Sequence, residues 1–139
     1  RHLHHDPPPQ VEQQELAADV CQILAESVPA QQRRAVDRVI AVAGTATSLG
    51  AIAQDLEPYD PAKVHGHRLK RRRCQEILER LAALPLAERR EVKGLHPDRA
   101  PTIVAGVIIL LEVLRLFGAD ELEVSEHDIL RGAALGLDP

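Results

Sequence analysis

Residues 44–47 read Gly-Thr-Ala-Thr, between a short β-branched run (Val39, Ile40, Val42) and a segment where Leu49, Ile52 and Ala53 return at helical spacing. A turn from strand to helix is expected there. At such a turn the first N–H groups of the helix have no intrahelical acceptor, the helix dipole favours negative charge, and two hydroxyls add donors with little bulk. That chemistry suits a phosphate. The same joint occurs throughout α/β proteins, and Thr45 could serve as an ordinary helix N-cap, so Gly44, Thr45, Ala46 and Thr47 need support from elsewhere in the chain.

Arg99 stands in a loop ahead of a strongly apolar segment. A guanidinium there either forks onto a phosphate or pairs with an internal carboxylate. Lys70, Arg71, Arg72 and Arg73 form the densest run of charge. The run reads either as the solvated start of a helix, although cations suit a helix N-terminus poorly, or as a subsite for a long polyphosphate. Arg33, Arg34, Arg89 and Arg90 are less concentrated and read as surface. His2, His4 and His5, and later His65, His67 and His96, lack the cysteine or carboxylate spacing of a metal set and read as structural or surface residues. Asp6 is expected to help hold the N-terminal loop.

These residues need a scaffold, and 139 residues, 45% of them hydrophobic, are enough for one domain with a real core. Tyr59 and Phe117 are the only aromatic residues of the Phe, Tyr and Trp type, which removes the usual base-stacking platform for single-stranded nucleic acid. With a net charge of −4, this argues against a nucleic-acid partner. Cys21 and Cys74 show no CxxC spacing and read as reduced thiols of a cytoplasmic protein. The most apolar run, 103–111, is broken by Glu112 and falls far short of the roughly 20 residues of a membrane span. The chain opens on Arg1 without a methionine, so a fragment of a longer polypeptide is expected.

Three consecutive prolines delay the first helix, which runs from Val11 until Pro29 closes it. Residues 31–37 read as a polar connection and 57–70 as a loop with an extended piece at 64–69. A helix follows over 71–84, then a brief one over 87–92. The longest apolar helix is expected from near Ala100, with Pro101 in its first turn, to Phe117; apolar on nearly every side, it is expected to be central. Gly106 within it would permit a close backbone approach by a neighbour or a ligand. Residues 121–125 read as a second strand, and Ser125 with Asp128 as a capping-box-like start to a last helix over 128–137. On parallel strands joined by helices, the two strand-to-helix turns would share the carboxyl edge of the sheet, where open α/β sheets bind ligands.

Four stretches carry a resemblance: HLHHDPP at 2–8, AVAGTATSLGAIA at 41–53, YDPAKVHGHRL at 59–69, and HPDRAPTIVAGVIIL at 96–110 followed by VSEHDILRG at 124–132. In this order they resemble the C-terminal lobe of the exopolyphosphatase and guanosine pentaphosphate phosphohydrolase (Ppx/GppA) family. The resemblance implies an α/β fold: a partial ribonuclease-H-like lobe of the actin-like ATPase superfamily, helix-rich with a short parallel sheet. Residues 1–139 would be that lobe without its first strands and without the N-terminal lobe. It also implies that Gly44, Thr45, Ala46 and Thr47 are a phosphate-binding loop, with Ala43 where the family more often has glycine. By the same resemblance Ser125 and Glu126 match the family's serine and acid pair ahead of the last helix, and Arg99 its loop arginine, so all three are expected to help bind the substrate phosphate.

The family's general-base glutamate and its Asp-x-Gly-Gly-Gly-Ser strand have no counterpart here. By resemblance the chain therefore holds no catalytic residue of its own. The complete protein would use an activated water for in-line attack on inorganic polyphosphate or a guanosine polyphosphate, with magnesium or another divalent cation stabilising the spreading charge. The other reading is a non-catalytic binding or assembly module. An unpaired edge on the 39–42 strand would invite pairing with a second copy, as a homodimer, or with the missing part of the same protein.

Overall fold

The computed structural model describes residues 2–136. Pro9 is the N-cap of α1 (Gln10–Ser27), and Val28 and Pro29 end it. The segment expected to be irregular holds the short α2 (Ala30–Arg34). β1 (Ile40–Val42) passes directly into α3 (Ala43–Ala53). The long loop contains α4 (Pro61–Val64), capped by Asp60 accepting from the Ala62 N–H at 3.0 Å, and then β2 (Arg68–Lys70). α5 (Arg71–Ala83) and α6 (Leu86–Arg89) follow, Pro85 standing at the N-cap of the second. A 3-10 turn, Pro97–Arg99, leads to α7 (Ile103–Leu116). α7 therefore starts at Ile103 and not near Ala100, because the stretch holding Pro97 and Pro101 takes tighter turns first. β3 (Glu121–Ser125) and α8 (Ile129–Leu135) complete the described chain, and the expected helix end at Leu137 lies outside it.

The sheet has the order β1-β3-β2. β1 and β3 are parallel, pairing Ile40 with Glu123 and Val42 with Ser125, whereas β2 runs antiparallel, pairing Arg68 with Glu123 and Lys70 with Glu121. The expected parallel sheet is thus mixed. The reason is the path of the long loop, which returns the chain to the carboxyl end of β3 before β2 begins. There the Gly66 N–H donates to the Val124 carbonyl at 2.8 Å and the Val124 N–H to the His67 carbonyl at 2.9 Å, so β2 has only one direction left to run.

α7 is the central helix, packed between α1 and α5 and touching α3, which itself lies on β3. Leu49 and Ile52 of α3, Val107 and Leu114 of α7, and Leu122 and Val124 of β3 are fully buried. One stripe of α7 faces outward at Ile109, which is 44% exposed.

Arg89 corrects the surface reading. It is 3% exposed, and its guanidinium donates to the carbonyls of Leu81 (2.9 Å), Ala100 (3.2 Å) and Leu84 (2.7 Å) and to Asp6 Oδ1 (3.1 Å). The other oxygen of Asp6 accepts from the Leu86 N–H at 2.6 Å. Asp6 and Arg89 together tie the N-terminal segment to the α5–α6 and 3-10 turns. Glu12 completes the fastening by accepting from the His4 and His5 N–H groups (2.8 and 3.3 Å) and from His5 Nδ1 (2.5 Å), and His2 reaches Asp19 at 3.0 Å. The His5 contact, against a smaller opposing effect of burial, lowers the Glu12 carboxyl to a pKa of about 2.

Candidate functional site

The register of β1 and β3 places Val42 beside Ser125, so the two strand-to-helix turns lie next to each other at one edge of the sheet. α3 begins earlier than a loop reading requires. Val42 is its N-cap, no side chain caps it, and Gly44, Thr45, Ala46 and Thr47 form its first turn and the start of its second, so Thr45 is not an N-cap. Among the described residues no side chain caps the first N–H groups of α3, which therefore stand free at the carboxyl edge. The bend that achieves this sits on Ala43, at φ 68°, a left-handed conformation that alanine adopts only at a cost.

Two close approaches shape the turn. A methyl carbon at Gly44 would come within 2.5 Å of Arg99 Cζ, so the guanidinium lies against the bare backbone of that glycine. A methyl carbon at Gly106 would come within 2.4 Å of Thr45 Oγ1, so α7 makes room for the first threonine. The expected close approach at Gly106 is to a protein side chain. Arg99 is held by its backbone: its N–H donates to the His96 carbonyl (2.9 Å), and its carbonyl accepts from the Thr102 N–H (3.1 Å) and hydroxyl (3.3 Å). Its exposed guanidinium makes no ion pair among the described residues. Thr47 Oγ1 donates weakly to the Gly44 carbonyl at 3.4 Å.

The second turn differs from its expected form. Asp128, not Ser125, caps α8, accepting from the N–H groups of Leu130 (2.9 Å) and Arg131 (3.4 Å). Ser125 is 9% exposed and closes its own turn, its Oγ accepting from the His127 N–H at 3.0 Å. Glu126 accepts from the hydroxyl of Tyr59, and its N–H donates to His65 Nδ1 at 3.3 Å. The His65 ring meets the His127 ring at 4.0 Å between centroids. Burial lowers the pKa of His127, with further lowering from Arg131 and His65 against an opposing pull from Glu126. Partial burial and then the Glu126 contact push Tyr59 up to about 12, against a smaller opposing effect of the Thr47 hydroxyl. Tyr59 and His127 had no distinguishing pattern of spacing in the sequence.

The basic run lies elsewhere. Lys70 pairs with Glu121 at the amino end of β3, so the Lys70 to Arg73 run starts at the opposite edge of the sheet from Gly44. There Arg71 pairs with Asp120 (3.0 Å), and Arg72 and Arg73 both reach Glu76 (3.2 Å each). A phosphate chain would have to cross the sheet to touch both. Among the described residues no three His, Cys, Asp or Glu side chains gather as a metal set, and Glu126 is already engaged by Tyr59. The described residues do not by themselves fit a divalent cation. No helix among those described is long and apolar enough to cross a membrane.

The short mixed sheet and the helices packed on it make an α/β lobe, and its likeness to solved structures puts it in the actin-like ATPase class. The chain belongs to the Ppx/GppA phosphatase family, whose model matches residues 1–136. It is 35% identical over 99% of its length to exopolyphosphatase 2 of Mycobacterium tuberculosis, of which it covers 44%. Two solved structures superpose on it. An exopolyphosphatase-like protein does so with a TM-score of 0.89 and 32% identity, over 97% of this chain and 45% of that one. The PPX-GPPA enzyme of Aquifex aeolicus does so with a TM-score of 0.88 and 29% identity, over 99% and 44%. The chain thus spans less than half the length of each of these relatives.

Proposed function

We propose that this chain is the phosphate-holding, C-terminal half of a phosphoanhydride hydrolase that removes terminal phosphate from inorganic polyphosphate or a guanosine polyphosphate. The observation that carries the reading is the Arg99 guanidinium, without an ion pair among the described residues, lying against Gly44 beside the first turn of α3, which no described side chain caps. Backbone N–H groups and a planar guanidinium converge there as donors, the set that binds phosphoryl oxygens in the ground state and the spreading charge in the transition state, while Thr45, packed against Gly106, and Thr47, whose hydroxyl donates to the Gly44 carbonyl, hold the turn that presents them. The mycobacterial relative's description as an exopolyphosphatase supports the polyphosphate class.

The base that activates water comes from the other lobe. Magnesium or another divalent cation would draw its protein ligands from there too. Cys21 and Cys74, both free thiols, fit a cytoplasmic setting. Phosphate release from polyphosphate, measured in a two-lobed protein carrying this chain, is expected to fall at least about tenfold for Thr45→Val and for Thr47→Val. Unchanged release in both would refute the role of the turn. The 139-residue chain alone is expected to show no turnover.

A non-catalytic assembly module is the second reading. It is favoured by the outer edge of β1, which has no partner strand among the described residues, and by Ile40 and Val42, exposed to 52% and 47%. Light scattering separates the two: a monomer at micromolar concentration counts against assembly.

A further inference from the structure

Tyr59 lies on neither strand-to-helix turn, yet its side chain reaches both. Its hydroxyl donates to Glu126 after β3, and it lies close enough to the Thr47 hydroxyl of α3 to feel it. His65, from the same long loop, takes the Glu126 N–H. The loop therefore grips Glu126 by its backbone and by its carboxylate. Nothing in the phosphate-binding scheme above requires this grip.

A carboxylate near an uncapped helix start has an obvious alternative place to go. Negative side chains are stabilised at helix N-termini, where they accept from the free N–H groups, and those are the groups that would receive phosphate. A released Glu126 would also oppose a bound anion by direct charge repulsion. A phenol donor fixes the carboxylate and takes up part of its charge.

Resting on the phosphate reading of α3, we propose that Tyr59 is a positioning residue for that site: it pins the Glu126 carboxylate so that this charge neither caps α3 nor repels the phosphate. Tyr59 needs no contact with the ligand to do so. The role sets how tightly anions bind.

Calorimetric titration of inorganic tripolyphosphate into the chain at fixed salt tests this. Tyr59→Phe keeps the ring and removes the hydroxyl, and is expected to weaken binding about tenfold. On a Glu126→Gln background the same substitution is expected to change affinity less than about twofold, because no freed charge remains. An equal loss on both backgrounds, or no loss on either, overturns the role of Tyr59 and leaves the phosphate reading standing. Absence of tripolyphosphate binding by the unsubstituted chain overturns both. A second measurement needs no Tyr59 variant, since the chain has one tyrosine and no tryptophan. Tyr59 emission, quenched by a bonded carboxylate, is expected to rise in Glu126→Gln, and unchanged emission overturns the pinning.

Discussion

Gly106 stands in the interior of α7, where replacing glycine by alanine ordinarily stabilises a helix by about 1 kcal/mol. Here the new methyl would meet Thr45 Oγ1 at 2.4 Å and Cγ2 at 3.0 Å, both far inside normal contact. Thr45 cannot escape by rotation alone, because its two branches would exchange places on a stiff β-branched residue. The first turn of α3 must therefore move away from α7, and overpacking of this kind costs about 1–3 kcal/mol. Gly106→Ala is expected to be destabilising by about 1 kcal/mol net, read as a fall in Tm of roughly 3 °C for a chain of this size. In a Thr45→Ala background the colliding atoms are gone and the remaining contact, to Cβ, is 3.3 Å. There the same substitution is expected to raise stability by up to about 1 kcal/mol. Thermal and urea unfolding of the four proteins gives the cycle. If Gly106→Ala stabilises the chain with Thr45 present, the close packing of α7 on the phosphate turn is refuted.

Ala43→Gly is expected to raise Tm by about 2–3 °C, since relief of the left-handed φ of 68° outweighs the added freedom of the unfolded chain; a fall would place the strain elsewhere. Glu12 has a folded pKa of about 2 against an ordinary 4.5, so its contribution is complete above pH 4.5 and is lost as pH falls towards 2. Melting curves over that window are expected to be flatter for Glu12→Gln than for the unsubstituted chain, and parallel curves would count against the His5 contact. Arg89→Leu is expected to cost about 3 kcal/mol in urea unfolding, because two buried carbonyls, one half-buried carbonyl and Asp6 lose their donor. A loss below about 1 kcal/mol would show that these groups find other partners.

Short-range patterns in the sequence determined most of the local structure of this protein. Three prolines set the start of α1, β-branched residues followed by small ones set the joint between β1 and α3, and alternation of Leu122 and Val124 set β3. Each depends on neighbours within a few residues, through backbone sterics and side-chain periodicity. Gly44 and Thr45 were legible as a candidate phosphate turn for the same reason. What tertiary structure alone decided depends on residues distant in sequence. Arg89 and Arg90 are adjacent and chemically identical, yet Arg89 is buried against three carbonyls of two separate segments, a difference that no local pattern encodes. The sense of β2 was fixed by where the long loop returned to β3, and the Lys70 to Arg73 run went with it to the far edge. Tyr59 met Glu126, and Arg99 came to rest on Gly44, only because the core brought three loops to one edge of the sheet.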